Sequence, residues 1–274
     1  MTPLTNQRIP GPELKFEERW MPPTHVETPD APTKDMSITV GWNTAQSAGI
    51  TREEMDAWAA RSHQRAIAAM DAGKFVDEII PMKIQQFDGS VVDFSVDEHP
   101  RRDTTVEKLA GLKVLHPEIE GFSITAGNSS GTNDAAAGVA LVEREYADAN
   151  KLSVMATVKA WGAAGVPARD CGLGAVKVIG KVLDRAGLKP SDVTLWEINE
   201  AFASVPIAAC REYGLDEELV NFFGSGCSLG HPIAASGARM VTTLIYELQR
   251  RGGGIGVAAM CAGGGQGGAV VIEV

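Results

Sequence analysis

The sequence lacks the features that mark exported, membrane-spanning and zinc-binding proteins. Its first 16 residues, MTPLTNQRIPGPELKF, contain no apolar core and do not resemble a signal peptide. No apolar run approaches the roughly 20 residues of a membrane span. The four cysteines are widely spaced and form no CxxC pair. We therefore expect a cytoplasmic protein with free thiols, no metal ion and no membrane partner.

Positive charge is also scarce. The chain has 25 Lys and Arg against 35 Asp and Glu, a net charge of −10 at pH 7, whereas nucleic-acid-binding domains are usually basic. We therefore expect no nucleic-acid partner, although a local basic patch could still bind a phosphate-bearing ligand. Hydrophobic residues make up 44% of the 274 residues, which is enough to build one large domain or two modest ones.

Alternating helix and strand signals predict an α/β layered fold. Residues 1–35 are rich in proline and charge and predict an irregular or extended arm. Thr51 and Glu54 form a capping box for a helix that ends at Gly73, and 76–96 predicts short strands around a turn. The remaining predicted elements are an alanine-rich helix within 121–142, helices near 173–186, 201–213 and 232–250, and strands near 153–160, 194–198, 219–222, 254–260 and 268–274.

Three short segments place unusual residues where predicted strands end, and open α/β sheets bind ligands at such ends. Asn199 begins NEAFA and offers a donor and an acceptor, or it only caps the next helix. Pro232 suits the first position of a helix, which places His231 at or beside the N-cap. The helix dipole would keep the imidazole neutral there, ready to exchange a proton or only to cap the helix. Cys261 opens a loop of glycines whose N–H groups could bind an anion, or the loop is a hairpin turn with a buried thiol.

Together these segments resemble the thiolase superfamily of acetyl-CoA acetyltransferases and 3-ketoacyl-CoA thiolases. NEAFA, GHP and CAGGG follow one another in that order, and ITAGNSSGTNDAAAGVAL resembles the stretch that lines the thiolase pantetheine tunnel. The resemblance runs from about residue 38 to Val274 and implies a thiolase-like layered α-β-α-β-α fold. The implied divisions are an N-terminal arm and loop domain at 1–132, the last helix and strand of the N-terminal thiolase domain at 133–160, and the C-terminal thiolase domain at 161–274.

The resemblance also implies an activity. A thiolase-type acyl-CoA C-acyltransferase condenses an acyl-CoA with acetyl-CoA, or cleaves a 3-ketoacyl-CoA with coenzyme A, through an acyl-enzyme. It would act in fatty acid or lipid metabolism, with coenzyme A thioesters as substrates and no permanently bound cofactor. By motif, Cys261 resembles the cysteine that exchanges protons at the α-carbon, His231 the histidine that activates the nucleophile, and Asn199 the residue that holds a water in the oxyanion hole. The other matches are Gly263, an oxyanion-hole donor, and the coenzyme A contacts Arg101, Ala126, Ser130 and Phe202.

Two departures from the family pattern qualify this interpretation. The thiolase nucleophile is a cysteine at a helix N-terminus in the first third of the chain, but the first cysteine here is Cys171. We therefore expect the nucleophile segment to be missing from this chain: either the chain is a fragment, or the N-terminal thiolase half is a separate chain. The expected assembly is a homo-oligomer or a complex with a chain that supplies the N-terminal thiolase half. The alternative is a non-catalytic thiolase-like subunit that binds acyl-CoA or scaffolds a partner. In addition, Trp42 follows Gly41 where many thiolases have a methionine-glycine segment near the acyl pocket, so it could alter acyl-chain preference.

Overall fold

A four-stranded mixed sheet forms the centre of the C-terminal half. The computed structural model describes residues 24–274 and the backbone of two earlier strands, and the rest of the predicted arm before residue 24 lies outside the described residues. The strands are β1 (Asn6–Ile9), β2 (Lys15–Glu18), β3 (Met82–Gln85), β4 (Val91–Phe94), β5 (Thr157–Gly165), β6 (Leu195–Ile198), β7 (Ile255–Ala262) and β8 (Gln266–Glu273). The central sheet has the order β5-β8-β7-β6; β6 and β7 are parallel and its other pairs are antiparallel.

Helices cover both faces of this sheet. The helices are α1 (Asn43–Ser47), α2 (Arg52–Asp71), α3 (Val106–Ala110), α4 (Arg144–Ala149), α5 (Leu173–Ala186), α6 (Ser204–Tyr213), α7 (Gly226–Leu229) and α8 (Ser236–Arg251). In the described part of the chain, none of them has the length and apolar character of a membrane span. No group of three or more His, Cys, Asp or Glu side chains among the described residues is placed to hold a metal ion.

The two faces of the sheet bury different helices because successive side chains of a strand point to opposite sides. On β7, Val257 and Ala259 lie in the apolar cluster that includes Val178 and Val182 of α5. Ala258, between them, lies in the cluster that includes residues of α8. β7 is therefore buried on both faces, and its two ends are the places where polar groups can reach a ligand.

The predicted capping box at the start of α2 is confirmed. The Thr51 side chain accepts a hydrogen bond from the Glu54 N–H, and the Glu54 carboxylate accepts one from the Thr51 N–H. These two hydrogen bonds satisfy two of the backbone N–H groups that the start of a helix leaves unpaired. The helix buries Met55, Trp58 and Ala66 on one face, as the apolar spacing predicts.

One buried carboxylate joins α2 to the sheet and to the loops beyond it. Glu200 follows β6 by two residues and is fully buried. It accepts hydrogen bonds from Trp58 Nε1 at 2.8 Å, Ser62 Oγ at 2.7 Å, Asn221 Nδ2 at 2.8 Å and the Cys227 N–H at 3.0 Å. A single side chain therefore holds α2, the 221 loop and the start of α7 in a fixed relation.

The structure differs from the prediction between β4 and α5. No helix forms within 121–142, and residues 131–143 have no regular hydrogen-bonded structure; the first helix after them is the short α4. Val139 and Leu141 are exposed there. A helix gains most of its stability from packing an apolar face, and the described residues leave these side chains largely uncovered. The strand predicted at 153–160 begins later, at β5.

Three further predicted elements can be compared with the structure. The strand predicted at 219–222 is reduced to isolated bridges, one between Val220 and Trp196 and one between Phe222 and Gly224. The hairpin predicted within 76–96 is present: β3 and β4 flank a turn in which Asp88 accepts the Ser90 N–H at 2.9 Å. Helix α5 ends at a left-handed Gly187, as predicted.

We expect Glu200→Gln to lower the free energy of unfolding by about 2–4 kcal/mol. The new side-chain NH2 group would face two of the four donors that now bind the carboxylate, so those two hydrogen bonds would be lost. Urea unfolding followed by circular dichroism measures this change. Glu145→Gln is the matched control, since Glu145 is exposed and surface substitutions usually stay within about 0.5 kcal/mol. Equal effects of the two substitutions would contradict the role assigned to Glu200.

Candidate functional site

The structure brings Asn199 and His231 into contact. Asn199 directly follows β6, and its N–H donates to Ala259 O of β7 at 2.9 Å, which continues the parallel pairing by one residue. Its Nδ2 lies 3.3 Å from each ring nitrogen of His231. Asn199 is fully buried, and its Oδ1 has no hydrogen-bond partner among the described residues. A buried acceptor without a partner suits a bound water or ligand donor.

His231 does not lie at the N-cap of a helix, as the sequence predicted. Pro232 starts a turn in which its carbonyl accepts the N–H groups of Ala235 and Ser236 at 2.8 and 2.9 Å, and α8 begins only at Ser236. The His231 N–H donates to Asn133 Oδ1 at 3.0 Å, and Nδ1 lies 2.6 Å from Ser236 Oγ. Proline suits a tight turn as well as a helix start, which is why the motif alone placed the helix too early.

The imidazole of His231 is neutral, as predicted, but for a different reason. Burial, and then the positive charge of Arg239, lower the pKa of His231 to about 4. Desolvation disfavours the charged form of a histidine. The helix dipole is not needed for this result, because the ring precedes α8 by five residues.

Cys261 lies near the end of β7, opposite Gly267 of β8. Its thiol is buried beside Cys171, and burial together with Cys171 raises the pKa of Cys261 to about 12, so the sulfur holds its proton at neutral pH. Gly264 and Gly265 turn the chain with φ of +83° each, a conformation that glycine adopts without strain. The motifs also predict that this thiol lies close to His231 in one cavity. The described residues show no hydrogen bond between the two, so this approach stays a prediction.

The predicted pantetheine stretch packs directly on the NEAFA segment. Ser129 forms a bridge with Phe202, and the Ser130 N–H donates to Ala201 O at 2.9 Å. Phe202 is buried, whereas Ala126 lies in an exposed turn at the start of the stretch. Three of the four residues predicted to bind coenzyme A thus lie on two segments that pack against each other, and one of these segments begins at Asn199.

The two arginines of HPRRD differ in their surroundings. Arg102 forms a two-pronged ion pair with Asp71, at 2.8 and 2.6 Å, on the exposed surface. Arg101 is held by its backbone, whose N–H donates to His63 Nδ1 at 3.1 Å; its exposed guanidinium forms no ion pair with any described residue. His99 connects the segment to the His231 loop, since its Nδ1 lies 2.7 Å from Ser228 O. Arg101 is therefore the arginine that is available to a ligand.

Motif reasoning missed Asn133 and Ser236, which contact His231, and Arg239, whose charge lowers the pKa of its ring. Arg239 Nη1 donates to Glu197 Oε2 at 2.7 Å, and Nη2 donates to Ser225 Oγ at 2.8 Å. Burial raises the pKa of Glu197 to about 7, against the lowering effect of Arg239. For Ser236 and Arg239, the sequence offered only their nearness to the histidine, which they follow by five and eight residues.

This geometry defines an α/β protein whose polar site lies beyond the carboxyl ends of two parallel strands. The family profile described as the thiolase N-terminal domain matches residues 27–145, and the one described as the thiolase C-terminal domain matches residues 152–274. The chain belongs to the thiolase superfamily, and it has the α/β thiolase fold.

Characterised relatives agree with this assignment. The chain is 45% identical over 237 residues to an acetyl-CoA acetyltransferase of Pseudomonas aeruginosa, covering 86% of this chain and 60% of the relative. It is 42% identical to a 3-ketoacyl-CoA thiolase of Bacillus subtilis, covering 84% of this chain and 60% of that protein. The chain thus spans about three fifths of the length of these relatives.

Solved structures show the same relation. The crystal structure of the Bacillus anthracis acetyl-CoA acetyltransferase superposes with a TM-score of 0.81 at 44% identity, covering 84% of this chain and 58% of that one. Human mitochondrial 3-ketoacyl-CoA thiolase in complex with CoA superposes with a TM-score of 0.76 at 36% identity, covering 84% and 57%.

We expect the free energy of unfolding of His231→Gln to fall less in acid than that of the wild type. The folded-state pKa of about 4 lies below the ordinary 6.5, so the unfolded chain binds more protons between these values, and stability falls as pH drops from 6.5 toward 4. At pH 5 the histidine should cost about 2 kcal/mol relative to neutral pH. Urea unfolding at pH 7.5 and pH 5 measures the difference. An equally large decrease in wild type and variant would contradict the buried neutral ring.

Proposed function

We propose that this chain carries one half of the active site of a thiolase-type acyl-CoA C-acyltransferase. The observation that carries this proposal is the contact between Asn199 and His231 beyond the end of β6, with Cys261 near the end of the neighbouring β7. Relatives named acetyl-CoA acetyltransferase and 3-ketoacyl-CoA thiolase support the reaction class. The reaction is a Claisen condensation of acyl-CoA with acetyl-CoA or the thiolytic cleavage of a 3-ketoacyl-CoA, in fatty acid or lipid metabolism.

Each polar group has a role that its surroundings support. The neutral His231 can accept a proton from a nucleophilic thiol, or donate a hydrogen bond to the oxygen of a thioester. The unpartnered Oδ1 of Asn199 can hold a water at that oxygen. Cys261 retains its proton, so it can return one to the α-carbon when a 3-ketoacyl-CoA is cleaved. Gly263 is assigned to the oxyanion hole of the acyl-enzyme.

The substrate proposal is a coenzyme A thioester, with no permanently bound cofactor. It is supported by the packing of the Ser130 segment on the segment of Phe202 and Asn199, by the exposed guanidinium of Arg101, which forms no ion pair with the described residues, and by the relative solved in complex with CoA. A planar guanidinium can stack on an adenine ring or contact a phosphate. Ala126 would lie at the exposed start of the Ser130 segment.

The nucleophilic cysteine would come from outside these 274 residues. We propose a cytoplasmic protein that forms a homo-oligomer or a complex with a chain that supplies the N-terminal thiolase half. Support comes from the apolar side chains that the described residues leave uncovered along 139–161, including Leu141, Val154 and Trp161. β5 is also an edge strand of the described sheet. Such surfaces mark interaction sites, and an open edge strand can pair with another chain.

We expect the chain alone to show no significant cleavage of acetoacetyl-CoA, because no cysteine in it has the setting of a thiolase nucleophile. Adding the N-terminal half of a thiolase relative should give turnover and a complex detectable by light scattering. His231→Gln in the same mixture should lower kcat by about 100-fold or more. Turnover by the chain alone would make one of its own cysteines the nucleophile. A complex that binds coenzyme A without turnover would favour an acyl-CoA-binding subunit.

We expect Arg101→Ala to weaken coenzyme A binding by about 1 kcal/mol, roughly fivefold, because an exposed guanidinium contributes about that much through stacking. Isothermal titration calorimetry measures the affinity. Arg102→Ala is the matched control, because the guanidinium of Arg102 is already paired with Asp71. Equal affinities of the Arg101 variant and wild type would remove Arg101 from the site.

A further inference from the structure

The side-chain amide of Asn128 is fully buried and uses its oxygen and both of its N–H groups. Asn128 Oδ1 accepts the Thr125 N–H at 2.9 Å. Its Nδ2 donates to Asp56 Oδ1 at 2.9 Å and to Ser123 O at 3.1 Å. A backbone N–H can only donate, and a carboxylate and a carbonyl can only accept. These three contacts therefore allow a single orientation of the amide.

Asp56 anchors this amide to helices. It lies on α2 and is 1% exposed, and its second oxygen accepts from Arg52 Nε at 2.7 Å, one turn earlier on the same helix. Arg52 Nη2 in turn donates to Leu109 O of α3 at 2.8 Å. The position of the Asn128 side chain is thus set by α2 and α3, and not only by its own loop.

The backbone of Asn128 holds the NEAFA segment. Asn128 O accepts the Ala203 N–H at 2.9 Å, and the Ser130 N–H donates to Ala201 O at 2.9 Å, with one antiparallel bridge between these two bonds. Ala201 and Ala203 belong to the segment that begins at Asn199. The place of that segment therefore depends on a residue whose side chain is fixed from α2.

We propose that Asp56 and Asn128 form a positioning pair that fixes the NEAFA segment against the segment of Ser130. Both side chains are buried, so they act through the backbone that they hold. Glu200 binds α2 near the start of the NEAFA segment, and the pair acts at its end, so α2 holds both ends. That the two segments bind a coenzyme A thioester rests on the proposed function, but the hydrogen bonds that join them do not.

The test reverses the bond between the two side chains. In Asn128→Asp, a new carboxylate faces the carboxylate of Asp56 and repels it. In Asp56→Asn, one carboxylate oxygen becomes an NH2 group, so the bond from Arg52 or the bond from Asn128 is lost. The double variant Asp56→Asn/Asn128→Asp again pairs an amide with a carboxylate, and only the contact with Ser123 O is not restored. Recovery in the double variant measures the coupling of the pair.

Hydrogen exchange of the Ser130 and Ala203 amides, followed by nuclear magnetic resonance on the whole chain without substrate, reports the bridge. Relative to the amides of β7, we expect both to exchange about tenfold faster in each single variant, because the lost bond involves a charged group. The double variant should recover part of the protection. Glu247→Gln is the matched control, since Glu247 is a buried carboxylate that binds arginine Nε groups elsewhere, on α8, and it should leave both amides unchanged.

Isothermal titration calorimetry with coenzyme A measures the consequence for binding. We expect about tenfold weaker binding in each single variant, partial recovery in the double variant, and wild-type affinity in Glu247→Gln. Altered exchange with unchanged affinity would remove the pair from substrate binding.

Unchanged exchange in a folded single variant, or no recovery in the double variant, would overturn the positioning pair. If Asn128→Asp fails to fold, Asp56→Asn and the double variant decide the question. A wild type that binds no coenzyme A would contradict the proposed function alone, because the exchange rates would still decide whether the pair holds the two segments together.

Discussion

The carboxylate of Glu200 is the constraint on which the site depends. Glu200 and Asn199 are neighbours in the chain, so one turn after β6 presents an amide to His231 and a carboxylate to the protein interior. Four donors from α2, the 221 loop and α7 converge on that carboxylate. A buried carboxylate is costly unless it is fully hydrogen-bonded, and these bonds can be made only in one arrangement of the three elements. The direction of Asn199 is thereby fixed by interactions that lie outside the site.

A second buried charge connects α8 to the same strand. Arg239 binds Glu197, which lies two residues before Asn199 on β6. Replacing such a pair by apolar residues is often neutral for stability, so its presence is weak evidence of a stabilising role. Its position is more informative. Arg239 is three residues beyond Ser236 and close enough to lower the pKa of His231, so one helix supplies both the hydroxyl and the charge that act on the ring.

Local signals predicted much of the fold, and tertiary effects account for the rest. The capping box at Thr51, the end of α5 at Gly187 and the β7–β8 pair follow from sequence patterns alone because their causes lie within a few residues. The prediction of a helix within 121–142 was wrong, and the described residues leave the apolar side chains there exposed, so that such a helix would lack a packed face. The motifs pointed to Asn199 and His231, which the structure brings into contact. The residues that contact the histidine could not be found in this way, because a hydrogen bond such as that from the His231 N–H to Asn133 joins positions 98 apart in the chain.

Trp42 and Phe202 have different neighbours beside the predicted site. The Trp42 indole packs on the Phe122 ring, with the ring centroids 5.3 Å apart. Phe202 instead lies against Gly41, where a Cβ would come within 2.8 Å of the phenyl ring. Val40 is buried in the same apolar cluster as Phe202 and Cys261. Phe202 rather than Trp42 therefore covers Gly41, and the effect of Trp42 on acyl-chain preference stays a prediction.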